Sequence, residues 1–494
     1  MMDSVIRTEA KDEGSGDQLE SNERTSSAAA VIDPRLDKTI TRRFDTHVVP
    51  WLFFMYLLSH IDRSNIGNAR IAGLAKDLEL TGIRFNRMLT VYYVTFICAC
   101  VPSNLIIKHI GAGHFLPFLT TSWGIVSLCT GFVTSYQELM AVRGLLGLCE
   151  GGLLPGVIVI LSSFYPRHQL AHRLTLFYCA GPLSSAFGGL LAAGLSEITC
   201  GRYRGWPFIF FIEGAITVMY GLVIWWFLPH TPGEAKFLTG EEREAALARM
   251  RLDAQGSNAA DSVQHERFDW RWVHRGVFNI NTIASTLNLL GLVVPIFSFS
   301  LFLPTIISAL GYTSLKAQLM TAPPNMVAFF AVPLAGRISD RLQMRGSLIL
   351  VGEMVAIVGY VMLISTDHQL IQYGGTFLVG TGISVACPLL MTWLSNNLAP
   401  HYVRATGTGI QIMGSNFGAF IAVFTYLQKD EPRYLTGHAI NIGMLCLTLI
   451  CTVTMIVYCL WENKKRASGR RDYRLTNGDS QLLGYRHPSF RYTI

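Results

Sequence analysis

Ser59-His60-Ile61-Asp62-Arg63-Ser64-Asn65-Ile66-Gly67-Asn68-Ala69 sets an acid beside a base at the end of the apolar run 48–58. A charge at mid-membrane costs roughly 2.5–3.5 kcal/mol even on lenient insertion scales, so a chain keeps one there for a purpose. Proton relay, counter-ion and charged-substrate site are the usual purposes. Counted from Val48, Asp62 lies about 21 Å along a helix, short of the ~30 Å hydrocarbon core. Burial is therefore the leading reading, against an alternative in which the helix has ended and the pair lies among headgroups. A second constellation is Arg143-Gly144-Leu145-Leu146-Gly147-Leu148-Cys149-Glu150-Gly151-Gly152. Seven residues apart, Arg143 and Glu150 share a helix face but stand about 10.5 Å apart along the axis, too far to pair. Each needs a partner on another helix or in a water-filled cavity. An intramembrane acid that sheds and regains a proton is the simplest coupling element of a proton-driven carrier, and a permanently satisfied packing acid is its alternative.

Three further groups carry weaker signals. Trp393-Leu394-Ser395-Asn396-Asn397 offers an indole and paired amides to a cavity wall, or caps a helix end. Gly336-Arg337-Ile338-Ser339-Asp340-Arg341, with Arg345 after it, favours a fixed ion-pair network acting as a gate; its first-half counterpart, Ser103 to Gly111, lacks the acid. Glu213, Glu353 and the lone His60 read as structural.

The elements that must position these residues are membrane spans. The 494-residue chain is 50% hydrophobic and 15% charged, with mean hydropathy +0.36, against about 25% charged residues in soluble proteins. Twelve apolar segments of spanning length are predicted: 48–66, 88–107, 114–134, 138–162, 173–197, 206–228, 279–304, 317–337, 347–365, 369–394, 404–427 and 438–461. The expected organisation is a disordered N-terminal tail (1–45), a six-helix half (46–228), a central loop (229–278), a second six-helix half (279–462) and a basic C-terminal tail (463–494). Thr239-Gly240-Glu241-Glu242 is a capping-box start, predicting a short surface helix to Leu252. Phe268, Trp270 and Trp272, interleaved with Arg267, Arg271 and Arg275, read as an interfacial belt rather than a nucleic-acid surface.

Nine of the ten cysteines fall in apolar runs and only Cys200 in an expected external loop, so no disulfide or metal spacing emerges. Lys and Arg in the short loops, with those of the central loop, favour both termini on the cytoplasmic side, although Arg70, Lys76, Arg84 and Arg87 run against the bias. Val101-Pro102 recurs as Val332-Pro333, and Arg173 and Ser184 as Arg404 and Ser415, each at the same offset, which supports duplication of a six-helix unit. Gly181, Ser185, Gly189 and Ala193 on the fifth span, and Gly414, Gly418 and Ala422 on the eleventh, form small-residue ladders that let helices approach closely.

GRISDR and the Arg143/Gly147 pattern resemble the loop and fourth-helix signatures of the major facilitator superfamily. Asp62-Arg63-Ser64-Asn65-Ile66-Gly67-Asn68-Ala69, Gly205-Trp206 to Glu213-Gly214, and Trp393…Asn396-Asn397…Arg404-Ala405 resemble its anion:cation symporter branch, above all fungal allantoate, nicotinate and pantothenate permease-like proteins. The resemblance covers roughly residues 45–462. It implies an all-α membrane protein of twelve helices and proton-coupled uptake of a small organic anion by alternating access. By that resemblance Asp62 and Glu150 handle protons and Arg63 engages the carboxylate. Asn65, Arg143, Trp393, Asn396 and Asn397 complete the candidate substrate set, and Asp340, Arg337, Arg341 and Arg404 the gate. The expected partners are the anion, protons and the bilayer, with no cofactor beyond the proton gradient, no metal and no nucleic acid. A monomer in the plasma membrane is expected. An exporter of the same fold and a non-transporting nutrient sensor are the competing readings, and no nucleophile, metal or nucleotide constellation points to an enzyme.

Overall fold

The computed structural model describes residues 33–165, 173, 176–200, 203–229, 231–256, 270–342, 344–399, 401–474, 484–488 and 490–494. Residues 1–32, Arg267 and Phe268 lie outside them. Helix begins earlier than expected: α1 (Pro34–His47) is capped by Asp33, whose carboxylate accepts from the Arg35 N–H at 2.9 Å, with proline in its first turn. Residues 34–45 of the expected disordered tail are thus helical, because Ile40 and Phe44 form an apolar stripe that is fully buried.

The first half consists of α2 (Val49–Ala69), α3 (Arg84–Ile110), α4 (Ala112–Thr130), α5 (Tyr136–Glu150), α6 (Leu153–Phe164), α7 (Ala180–Leu195) and α8 (Pro207–Phe227). α9 (Gly240–Gly256) and α10 (Trp270–Val277) lie in the central segment. The second half comprises α11 (Ile280–Ala309), α12 (Ala322–Leu342), α13 (Arg345–Ser365), α14 (Gln369–Asn396), α15 (His401–Asn416), α16 (Gly418–Val423) and α17 (Leu435–Ala467). Each expected span has its helix. The fourth is broken into α5 and α6 at Gly151-Gly152, and the eleventh into α15 and α16 at Phe417. Among the described residues, seven helices are long and apolar enough to cross a membrane by length and composition.

Glycines set the closest packing within each half. A Cβ at Gly214 of α8 would lie 2.5 Å from the Leu128 nitrogen of α4, and one at Gly359 of α13 would lie 2.7 Å from the Gly375 carbonyl oxygen of α14. Helix backbones meet where small residues allow it, because lipid offers no apolar driving force for association.

The two halves close on each other at one end. There Asn86 Nδ2 donates to the Val423 carbonyl (2.5 Å), the Gly82 N–H to Gln428 Oε1 (3.2 Å), Ser314 Oγ to Ile71 O (3.0 Å) and Gln318 Nε2 to Asn68 O (3.3 Å). Phe85 meets Phe302 edge to face at 6.2 Å, and one continuous core takes in Leu301, Phe302, Ile306, Val423 and Tyr426 from the second half. Two glycines make the seal possible. A Cβ at Gly67 would overlap the Leu301 carbonyl oxygen, and one at Gly189 would overlap Thr321 Oγ1.

The other end carries α1, α9 and the C-terminal segment. Thr239 and Glu242 form the expected capping box of α9, with the Thr239 N–H donating to Glu242 Oε2 at 2.9 Å. Arg249 fastens α9 beneath the first half, bonding Asp37 (2.9 Å), Thr41 Oγ1 (2.8 Å) and the Phe164 carbonyl (2.9 Å). Residues 484–488 and 490–494 dock under the second half, where Asn463 brackets Tyr492 through two bonds of 2.9 Å and Arg466 reaches the Phe490 carbonyl at 2.7 Å.

Candidate substrate and proton site

α2 continues as helix to Ala69 and then through a π turn, Arg70–Leu74, so Asp62 and Arg63 lie within helix rather than past its end. Successive residues on a helix point about 100° apart, and the adjacent charges accordingly serve different neighbours.

Arg63 turns to α3 and α5. Its Nη2 lies 3.1 Å from Glu150 Oε2, and its Nε donates to the Tyr92 hydroxyl at 3.0 Å. The Tyr92 hydroxyl donates to the same Glu150 oxygen at 2.5 Å, with Ser59 Oγ at 3.5 Å. Glu150 is fully buried, its other oxygen has no partner, and the Arg63 side chain keeps 13% of its exposure. Glycines bring the acid there: a Cβ at Gly147 would overlap the Tyr92 carbonyl oxygen, and one at Gly151 would lie 2.5 Å from that of Phe96. Both fall on the α5 face that meets α3, one turn apart. Aromatic rings complete the surround of the guanidinium, with Phe96 at 5.1 Å, Tyr92 at 5.8 Å and Phe297 at 5.9 Å from ring centroids. Phe297 stands on α11, so Arg63 is flanked by both halves. Its ring stacks on Tyr93 at 5.4 Å, and Tyr56 stacks on Phe177 at 3.9 Å one helical turn away from His60.

Asp62 turns inward instead. Trp123 Nε1 donates to one of its oxygens (3.1 Å) and Ser127 Oγ to the other (2.9 Å), both from α4. Asp62 is 2% exposed, and among the described residues no cation stands within ion-pair distance of it. Arg143 lies in the same interior over the ring of Phe210 (5.4 Å), with its Nε and one terminal nitrogen unpartnered.

Several candidates fall elsewhere. Arg143 is 2% exposed inside the first half. Asn65 is fully buried against α7, where a Cβ on Gly188 would lie 3.6 Å from its amide oxygen. Trp393 and Asn397 are bonded to the C-terminal segment. The indole N–H and the Asn397 amide donate to the Thr493 carbonyl at 2.9 and 3.1 Å, and the Thr493 N–H returns a 2.8 Å bond to Asn397 Oδ1. Asn396 is half-buried at the end of α14. Asp340 pairs with Arg345 at 3.5 Å on the exposed surface, Arg337 and Arg341 are exposed, and Arg404 Nε donates to the Leu398 carbonyl of its own half at 3.0 Å.

Tyr92, Phe96, Trp123, Ser127 and Phe297 are the site residues that sequence reasoning missed. As aromatic and hydroxyl residues in apolar spans they look like ordinary packing. The four-residue spacing of Gly147 and Gly151 was the available signal that α5 presses on α3.

A family model described as Major Facilitator Superfamily matches residues 52–423. An uncharacterized transporter of Schizosaccharomyces pombe is 32% identical over 469 residues, covering 94% of this chain and 92% of that one. The high-affinity nicotinic acid transporter of Saccharomyces cerevisiae is 31% identical over 460 residues, covering 92% and 85%. Among solved structures, a D-xylose–proton symporter superposes with a TM-score of 0.64 at 13% identity, covering 83% of this chain and 97% of that one. These matches agree: the chain belongs to the Major Facilitator Superfamily and is a multi-pass membrane transporter.

Proposed function

We propose that this transporter imports a small organic anion together with protons, by alternating access, at the plasma membrane with both termini cytoplasmic. Arg63 is the anion-binding residue and Glu150 its internal competitor. The observation that carries this reading is the shared cation: Glu150 occupies Arg63 through one oxygen and leaves the other without a partner. Protonating Glu150 weakens its hold on the guanidinium, which then accepts a substrate carboxylate in its place. Anion and proton thereby load together. Asp62, held by Trp123 and Ser127, is the second proton carrier. The rings of Tyr92, Phe96 and Phe297 suit a planar or compact carboxylate stacked beside the guanidinium. The relative named as a nicotinic acid transporter supports a carboxylate of that size.

The test is uptake of labelled nicotinate, allantoate and pantothenate into cells expressing the chain, at acid and neutral external pH, with and without a protonophore. One compound taken up faster at acid pH, and lost with the protonophore, is the expected result. Faster loss of preloaded compound without uptake would replace import by export, and no flux of any compound would reject the anion assignment.

A further inference from the structure

Glu213 of α8 is 3% exposed, and neither of its carboxyl oxygens has a hydrogen-bond partner. It lies on the face of α8 that also carries Phe210, beneath Arg143, and Thr217, whose hydroxyl is buried and unpartnered too. That face packs on α4, which holds Asp62 through Trp123 and Ser127, and on α2 itself. On α4 a Cβ at Gly124, between Trp123 and Ser127, would lie 3.1 Å from the Thr217 carbonyl carbon, so this face of α8 meets the turn of α4 that holds Asp62. Arg143 of α5 also reaches this face, over Phe210.

A carboxylate buried with no donor pays a desolvation penalty of several kcal/mol, so a partnerless buried carboxyl carries its proton. Two carboxyls in mutual reach, neither with a cation at ion-pair distance, titrate as a pair rather than singly. We propose that Asp62 and Glu213 form one coupled proton site, which keeps one proton in this conformation and gains or loses a second during the cycle. Glu213 is then a positioning residue: its charge state sets the pH range over which Asp62 works. The inference rests on the proton-coupled reading of the site, and it assigns a role to an acid that reads from sequence as structural. The transferred species is the proton alone, taken from water on one side and released on the other.

Two experiments on the full chain in lipid test it. In the first the proton is the probe, so no substrate is needed: infrared difference spectra of wild type, Glu213→Gln and Asp62→Asn are recorded between about pH 5 and about pH 8. A protonated-carboxyl band that titrates in wild type and is altered by both substitutions is expected. A Glu213 band that does not change with pH would make it a permanently protonated packing group and overturn the pairing. In the second, pH profiles of anion uptake are compared. Glu213→Gln removes the like charge and moves the half-maximal pH of uptake downward by about half a unit or more, whereas Glu213→Asp keeps the wild-type profile. Profiles that coincide for wild type and Glu213→Gln would reject the proposal, as would a Glu213→Asp profile matching that of Glu213→Gln. Wild-type uptake that ignores pH altogether would reject proton coupling itself, while the infrared result would still decide the pairing.

Discussion

Arg63 is worth more to this molecule than its exposure indicates, because three different groups contend for it: Glu150, the Tyr92 hydroxyl and, in the proposed cycle, an anion. Lysine at this position keeps the charge but loses the planar fork and the stacking on Phe96 and Phe297. Arg63→Lys is therefore expected to lower uptake by about tenfold or more at unchanged surface expression, read by initial-rate assays beside a membrane blot. Asp62→Asn keeps the hydrogen bonds of its amide oxygen but cannot exchange a proton; it is expected to abolish accumulation against a gradient, and wild-type accumulation would remove Asp62 from the proton pathway. At this scale the sequence spoke clearly about charge and poorly about partners. Asp62, Arg63 and Glu150 stand out because charges are costly in apolar spans. Tyr92 and Trp123 do not, since nothing in a residue's own type says whether its hydroxyl or indole N–H meets a carboxylate.

Elements were legible where apolar length decides them, and less so where polar contacts do. All twelve spans were recognisable from hydropathy, yet the break at Gly151-Gly152, the helix at Pro34–His47 and the docked C-terminal segment arise from tertiary contacts. Trp393 and Asn397 are instructive. Their amide and indole chemistry was readable, but the occupant is residue Thr493, nearly a hundred positions on. Asn397→Ala removes the bonds to Thr493 and is expected to cost about 1–3 kcal/mol, seen as a few degrees in a thermal-shift assay of purified transporter. If Asn397 acts through the tail, deleting residues 484–494 and adding Asn397→Ala costs no more than the deletion alone; additive losses would show that Asn397 stabilises something else. The small-residue ladders permit a similar comparison. At Gly189 a new Cβ meets Thr321 of the other half, while at Gly194 it meets open space. Gly189→Ala should slow transport several-fold by wedging α7 from α12, and Gly194→Ala, a better helix former, should leave it within about twofold.

Across the whole molecule, the two halves are sealed at the end that carries Asn86, Gln318 and Val423, while each half bears its own cap at the other: α1 with α9 beneath the first, residues 484–488 and 490–494 beneath the second. The seal depends on contacts such as the Asn86 amide with the Val423 carbonyl, which no periodicity encodes. Arg63 and Glu150 belong to the first half and Phe297 to the second, so a movement of one half against the other changes what surrounds the guanidinium. That links the ion pair to the conformational cycle, and it makes Glu150 the decisive residue. The most direct measurement compares wild type and Glu150→Gln in sealed vesicles with labelled substrate, following both accumulation driven by an inward proton gradient and exchange with substrate preloaded inside. The account predicts that wild type does both, and that the glutamine variant exchanges but does not accumulate, because Arg63 is free to bind the anion while the proton step is gone. Accumulation by Glu150→Gln at the wild-type level, still collapsed by a protonophore, would contradict it.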